Sequence, residues 1–209
     1  MKNKILITGT RSGLGEFLSK KYPNPICITR ENPLTDEIIS EGVDTIIHCA
    51  FNQNMSELNL VNYKIYEDNI NLTKKLLKIP HRRFVYISTC QVSELNSKSQ
   101  PTPYIIMKAL NEHIIREQSK NYLILRPSGL VGDDKKRNSL HKLMNNEDIT
   151  LTGESVNDFI LFDDVYNTIQ SHESGTFYLL SQKSITMKEI AEKFNKEINF
   201  DHFEYGINV

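Results

Sequence analysis

Tyr104 and Lys108 stand four residues apart in Tyr104-Ile-Ile-Met-Lys108, a spacing that sets a phenol and an ammonium as neighbours on one helical face. Such a pair is equipped for acid–base work. A tyrosine with a pKa of about 10 holds its proton at neutrality, and a nearby cation favours the phenolate. Upstream, Ser88 and Thr89 end an apolar strand-like run, and either hydroxyl can hold a substrate oxygen. The set suits proton exchange with a carbonyl or alcohol oxygen while a nicotinamide exchanges hydride at the same carbon.

Hydride exchange of that kind requires a dinucleotide, and Lys4 to Gly15, KILITGTRSGLG, is built to take one. A short apolar strand runs into glycines that open a helix. Gly9 turns off the strand, Gly13 lets backbone approach a phosphate, and Gly15 lets the helix from Leu14 to Lys21 pack close. The start of that helix aims N–H groups and a positive dipole at an anion. The second strand is followed by Thr29-Arg30, where a guanidinium suits a 2′-phosphate, and Arg11 in the glycine loop offers a second clamp. NADP is therefore the preferred cofactor. Glu31 allows NAD instead if its carboxylate turns to the ribose.

The elements that must position these groups alternate along the chain. Strands are expected at Ile5 to Thr8, Ile26 to Thr29, Thr45 to Cys49, Phe84 to Thr89 and Tyr122 to Arg126, with helices at Leu34 to Glu41, Leu60 to Ile79 and Tyr104 to Ser119. This βα rhythm predicts a parallel sheet covered on both faces, with its ligand at the carboxyl ends of the strands. The polar run Ser93 to Pro103 reads as a surface loop and Gly132 to Arg137 as a charged turn. A chain of 209 residues suits one domain, and a formal net charge of -1 gives no pull toward nucleic acid or an anionic membrane. Cys27, Cys49 and Cys90 fall in or beside apolar strands and read as reduced thiols, which predicts a cytoplasmic protein. No apolar run is long enough to span a bilayer. The six histidines lack ligand spacing, so no metal site is expected. His48 reads as structural, and Asp163 and Asp164 as helix-start residues.

In their order, the glycine loop, the strand-end hydroxyls and the Tyr104/Lys108 pair resemble the short-chain dehydrogenase/reductase superfamily. Ile124-Leu-Arg-Pro-Ser-Gly-Leu-Val-Gly132 and Asn157-Asp-Phe-Ile-Leu-Phe-Asp-Asp-Val165 are similar to late segments of its extended or atypical branch, the NAD-dependent epimerase/dehydratase family. Gly175 to Leu180 followed by Ile185 to Ile190 resembles that branch's closing strand and helix, and Asn69 and Thr73 fit its middle helix. The resemblance implies an α/β Rossmann-type doubly wound parallel sheet, a single NAD(P)-binding domain over residues 1–209 with 133–209 as a reduced substrate-side portion. It implies Tyr104 as the general acid/base, Lys108 as its pKa partner and a ribose ligand, and Thr89, with Ser88 second, as the donor to the substrate oxygen. Gly9, Thr10, Arg11, Ser12, Gly13 and Leu14 would surround the pyrophosphate, Cys49, Ala50 and Phe51 would line the cofactor, and Pro127 and Ser128 would meet the nicotinamide. A homodimer through the helices at Leu60 to Ile79 and Tyr104 to Ser119 is implied as well.

Departures from the family narrow the reaction. Cys90 and Gln91 replace the acidic pair of the sugar dehydratases, and the cysteine of the epimerising reductases falls where this chain has Gln91. Cys90 reads as packing. Gly129 stands where nucleotide-sugar enzymes often carry an asparagine, and Lys135, Lys136 and Arg137 read as a solvated turn. The expectation is an NADP-dependent reductase of a carbonyl, on a small molecule such as the keto group of a nucleotide-linked sugar, in polysaccharide precursor synthesis. The alternatives are a redox-neutral NAD-dependent sugar epimerase and a noncatalytic dinucleotide-sensing scaffold.

Overall fold

The computed structural model describes residues 4–52, 63–96, 101–132, 138–197 and 199–203. Its centre is a six-stranded sheet of β1 (Ile5–Thr8), β2 (Ile26–Ile28), β3 (Val43–His48), β4 (His81–Ile87), β5 (Tyr122–Pro127) and β10 (Gly175–Leu179). The order across the sheet is β10-β5-β4-β3-β1-β2, and every neighbouring pair is parallel. The chain steps from β1 to β2 on one side and then returns to β3 on the other. This reversal opens a crevice at the carboxyl ends of β1 and β3.

Alternation along each strand divides the core in two. Ile7, Ile47, Val85, Leu123 and Leu125 point to one face, under Leu14 and Leu18 of α1 (Gly13–Lys21) and Val165 and Ile169 of α7 (Phe162–Ser171). Leu6, Ile46, Phe84, Tyr86 and Ile124 point to the other, under Leu76 of α4 (Leu72–Leu77) and Ile115 of α5 (Pro103–Gln118). Between β2 and β3, α2 (Asp36–Glu41) is capped by the Thr35 hydroxyl, which accepts from Ile38 N. Both sheet faces are thereby sealed, as an apolar parallel sheet requires.

Two local features position the site. Helix α5 begins with Pro103 in its first turn and Thr102 as its cap, which fixes Tyr104 one residue inside the helix. The segment before β4 is not one regular helix: α3 (Tyr63–Tyr66) passes through a π turn (Glu67–Asn71) into α4, and the wide turn buries Asn69 and Ile70.

The last third builds a small core of its own from Leu143, Ile149, Met187, Ile190 and Ala191. It comprises α6 (Ser139–Met144), α8 (Met187–Lys193) and three short pairs: β6 (Gly129–Val131) with β9 (Phe159–Leu161), β7 (Ile149–Leu151) with β12 (Phe200–Phe203), and β8 (Val156–Asn157) with β11 (Ile185–Thr186). Asp164 accepts from Leu161 N at 3.2 Å at the start of α7 and Asp163 pairs with Lys21 at 2.8 Å, as helix-start residues should. Of the expected loop Ser93 to Pro103, residues up to Asn96 belong to a 3₁₀ turn (Cys90–Asn96). Residues 97–100 and the turn residues 133–137, with Lys135, Lys136 and Arg137, lie outside the described residues. No helix among the described residues is long and apolar enough to cross a membrane.

Candidate active site

The carboxyl ends of β1, β3, β4 and β5 open into one cleft of about 520 Å³. Its floor is the glycine turn. Gly9 has φ of 77°, and a Cβ there would lie 2.8 Å from Ala50 N, so the turn and the segment after β3 touch through backbone alone. A Cβ at Gly15 would run into the Gly9 carbonyl, which is why α1 packs so close. Ser12, Gly13, Leu14 and Gly15 line the cleft, and the Ser12 side chain makes no cap bond, so the positive end of the helix lies at the cleft wall.

Across from this floor, α5 and the end of β4 bring together Tyr104, Lys108 and Thr89. The Tyr104 phenol lines the cleft together with Thr89, and burial pushes its pKa up to about 12. Lys108, the expected pKa partner of this phenol, lies one turn along the same helix. Lys108 Nζ donates to the Ile87 carbonyl at 2.7 Å, lies 4.4 Å from the Phe51 ring centre, and is 5.9 Å from the Tyr104 ring centre. Burial is the largest influence on the Tyr104 proton. The consequence is a phenol that keeps its proton at neutrality. Phe51 stands edge-on to the Tyr104 ring at 5.2 Å and Cys49 and Ala50 continue the wall. Burial pushes the Cys49 thiol up to about 12 and the Cys90 thiol up to about 11, so both remain thiols, and Cys90 is a packed residue.

Ser88 is engaged elsewhere. Its hydroxyl donates to Glu112 Oε1 at 2.5 Å, and Glu112, 1% exposed, also takes Arg126 through Nε at 3.0 Å and Nη2 at 2.6 Å and Arg116 through Nη2 at 2.7 Å. The guanidinium groups and the hydroxyl hold the Glu112 carboxyl below the usual range despite its burial. One carboxylate thus ties α5 to the ends of β4 and β5. This leaves Thr89, rather than Ser88, beside the reactive phenol. Glu112 was missed in the sequence, although it falls one turn after Lys108 on the same face.

The far wall comes from the last third: Pro127, Ser128, Gly129, Asn138, Asn157 and Asp158. Asp158 is buried and accepts from the Ser181 hydroxyl at 2.7 Å, and the Ser128 hydroxyl has no partner. Pro127 and Ser128 were expected; Asn138, Asn157 and Asp158 as wall residues were not. At the opposite edge of the crevice, Arg11 pairs with Glu31 at 2.7 Å and exposed Arg30 with Asp68 at 3.1 Å, while Thr29 Oγ1 accepts from Asn32 N. Thr10, Arg11, Thr29 and Arg30 lie off the cleft itself. Among the described residues no group of three His, Cys, Asp or Glu side chains could hold a metal ion.

A glycine turn against a helix start, a phenol and a hydroxyl on one wall, and a lysine fixed by a strand carbonyl share one cleft at the carboxyl edge of a doubly wound sheet. Residues 5–170 match the model of the NAD dependent epimerase/dehydratase family, and the chain belongs to it. Solved structures share the fold. The dTDP-4-dehydrorhamnose reductase of Bacillus anthracis in complex with NADP superposes with a TM-score of 0.76 at 20% identity, over 98% of this chain and 85% of that one. The UDP-glucose 4-epimerase of Thermotoga maritima with UDP-glucose gives 0.73 at 20% identity, over 98% and 87%. The UDP-glucuronic acid 4-epimerase of Bacillus cereus in complex with NAD gives 0.73 at 17%, over 97% and 87%. No curated protein sequence matches the chain.

A nicotinamide dinucleotide, the cofactor type of the family, fits the residues present. Only glycine fits at positions 9 and 15, and the turn between them faces the cleft with backbone. When bound, the dinucleotide supplies or accepts the hydride. Gly9 and Ser12 to Leu14 would hold its pyrophosphate, Cys49 to Phe51 its flank, and Lys108 its nicotinamide-side ribose.

Proposed function

We propose that this chain is an NADP-dependent oxidoreductase that reduces a carbonyl, the keto group of a nucleotide-linked sugar, with Tyr104 as proton donor. Thr89 holds the substrate oxygen beside the phenol and Lys108 fixes the ribose. The single observation that supports this most is the placement of the phenol: Tyr104 lines the same cleft as Thr89, Lys108 and the glycine turn, so its proton faces the place where a bound nicotinamide and a carbonyl would meet. Proton donation is what carbonyl reduction asks of it. Residues 133–209 serve as the substrate-side portion, with Asn157 and Asp158 as its polar wall. NADP is preferred over NAD because Arg30 and Arg11 stand after the second strand and in the glycine turn, each able to exchange its carboxylate partner for a 2′-phosphate. Ile106 and Leu110, exposed on α5, support pairing with a second copy.

The test is incubation with NADPH and a panel of keto nucleotide sugars, following nicotinamide absorbance and product together. Net NADPH loss equal to alcohol formed supports the reductase. Interconversion of sugars with no net loss of cofactor would replace it with the redox-neutral epimerase, and binding without turnover with the noncatalytic reading.

A further inference from the structure

A buried chain of hydrogen bonds runs behind the cofactor floor, and its proton positions follow from its two ends. At one end the Ala50 N–H can only donate, and it reaches Thr8 Oγ1 at 3.1 Å. At the other the Asn69 carbonyl can only accept, and it takes the Thr73 hydroxyl at 2.9 Å. Between them His48 meets Thr8 through Nδ1 at 2.7 Å and Thr73 through Nε2 at 3.0 Å. Thr73 has spent its one proton on Asn69, so toward His48 it accepts, and Nε2 carries hydrogen. A neutral imidazole has one N–H, so Nδ1 accepts and Thr8 donates. All four side chains, Thr8, His48, Asn69 and Thr73, are fully buried.

The chain ends where the cleft wall is made. Thr8 directly precedes Gly9, whose backbone touches Ala50. Asn69, turned inward within the π turn, grips Asn52: its Oδ1 accepts from Asn52 N at 2.7 Å and its Nδ2 donates to the Asn52 carbonyl at 3.2 Å. The segment Cys49 to Asn52 is therefore held at Ala50 and at Asn52 by two anchors that His48 joins. We infer that His48, as the neutral Nε2–H tautomer, is a positioning residue for the dinucleotide: it fixes Ala50 and Asn52 relative to the Gly9 turn and so sets cofactor affinity without touching the reacting atoms. This rests on the dinucleotide reading of the cleft. Adding a proton at Nδ1 would turn Thr8 from donor to acceptor and break the sequence of bonds. The environment opposes that proton, since burial and the nearby Lys108 charge lower the imidazole pKa to about 3.

Nitrogen-15 NMR of the wild-type protein at neutral pH reads the tautomer directly: a neutral ring with hydrogen on Nε2 is expected, and hydrogen on Nδ1 or on both nitrogens overturns the inference. Calorimetric titration with NADPH then reads the consequence. His48→Phe and Thr73→Val each weaken NADPH roughly ten-fold, the scale of one lost hydrogen bond. The double variant is weakened little further, because either change breaks the same relay. At saturating NADPH, kcat in the reductase assay falls less than about three-fold, on the same one-bond scale. Unchanged affinity, or losses that multiply in the double variant, overturns the inference while the cofactor reading stands. Wild-type protein that binds neither NADPH nor NADH overturns the cofactor reading and the effect on affinity with it. If His48→Phe fails to fold, Thr73→Val, which is nearly isosteric, and the wild-type NMR decide.

Discussion

The two flanks of the cleft are held by opposite kinds of polar chemistry. On the cofactor flank, Thr8, His48 and Thr73 form a neutral relay ending on the Asn69 carbonyl, in which each of the three side chains has one donor and one acceptor role to fill. On the reaction flank, Glu112 is a charged hub that takes two guanidinium groups and the Ser88 hydroxyl at once. A relay of single bonds is directional and loses its order wherever it is cut. A hub is redundant at its rim and vulnerable at its centre, because a buried carboxylate removed leaves two cations facing each other.

The largest effect expected from breaking this contrast is at that centre. Glu112→Ala costs about 3–5 kcal/mol of folding stability, the range for stranding buried partners of an ion pair, whereas Arg116→Ala, at the half-exposed rim, costs about 1 kcal/mol or less. Chemical denaturation of the three proteins measures both, and equal losses would erase the distinction between centre and rim.

The next effect separates the two strand-end hydroxyls. Thr89→Val lowers kcat/KM by about 10- to 100-fold, as loss of a bond to the reacting oxygen should, while Ser88→Ala acts mainly through stability because its hydroxyl faces Glu112. Steady-state kinetics with thermal melts of both variants provide the check; the reverse pattern would move the substrate oxygen to Ser88.

A further effect is on the pH dependence of stability. His48 has its pKa lowered from 6.5 to about 3 in the fold, so between those values the unfolded chain binds a proton that the folded one refuses. Stability from this group is fully present above pH 6.5 and falls with acid by about 1.4 kcal/mol per pH unit. Glu112, held below its ordinary 4.5, contributes stability that is lost only as pH falls below that value. Between pH 6.5 and 4.5 the slope therefore belongs to the relay. The other groups facing His48 are the Lys108 cation and the Phe84 and Tyr86 rings, and burial pushes the Tyr86 phenol up, away from this window. Denaturation from pH 7 to 4.5 should show the slope in wild type and a flat profile in His48→Phe; a slope that survives the substitution would assign it elsewhere.

Much of this architecture was legible in the sequence because period-two runs and glycine spacing are local signals. Boundaries moved where tertiary contacts took over. Strands β3 and β4 start earlier than expected, since Val43 pairs with His81 and Asp44 holds Arg82 at 2.9 Å, and a strand pattern does not flag polar residues such as Asp44, His81 and Arg82. Both also stop sooner, releasing Cys49, Ser88 and Thr89 into the cleft. The expected helix from Leu60 to Ile79 shows the right spacing at Leu72 and Leu76, yet the π turn that aims Asn69 inward adds a residue no apolar period records. Tyr104 and Lys108 were found because a helical turn joins them. The partner of Lys108 was not, because the Ile87 carbonyl lies 21 residues away on another element. Glu112 looked like an ordinary helix-face charge beside Arg116, and only the fold brings Arg126 to it.

The most direct test of the central claim follows a label from the cofactor. With NADPH carrying deuterium at the transferable position of the nicotinamide and a keto nucleotide sugar as substrate, mass spectrometry should find one deuterium in the alcohol product. In Tyr104→Phe the transfer rate should fall by about 10² to 10⁴ while NADPH affinity holds. Transfer that proceeds undiminished without the phenol, or product that carries no label, would contradict the account.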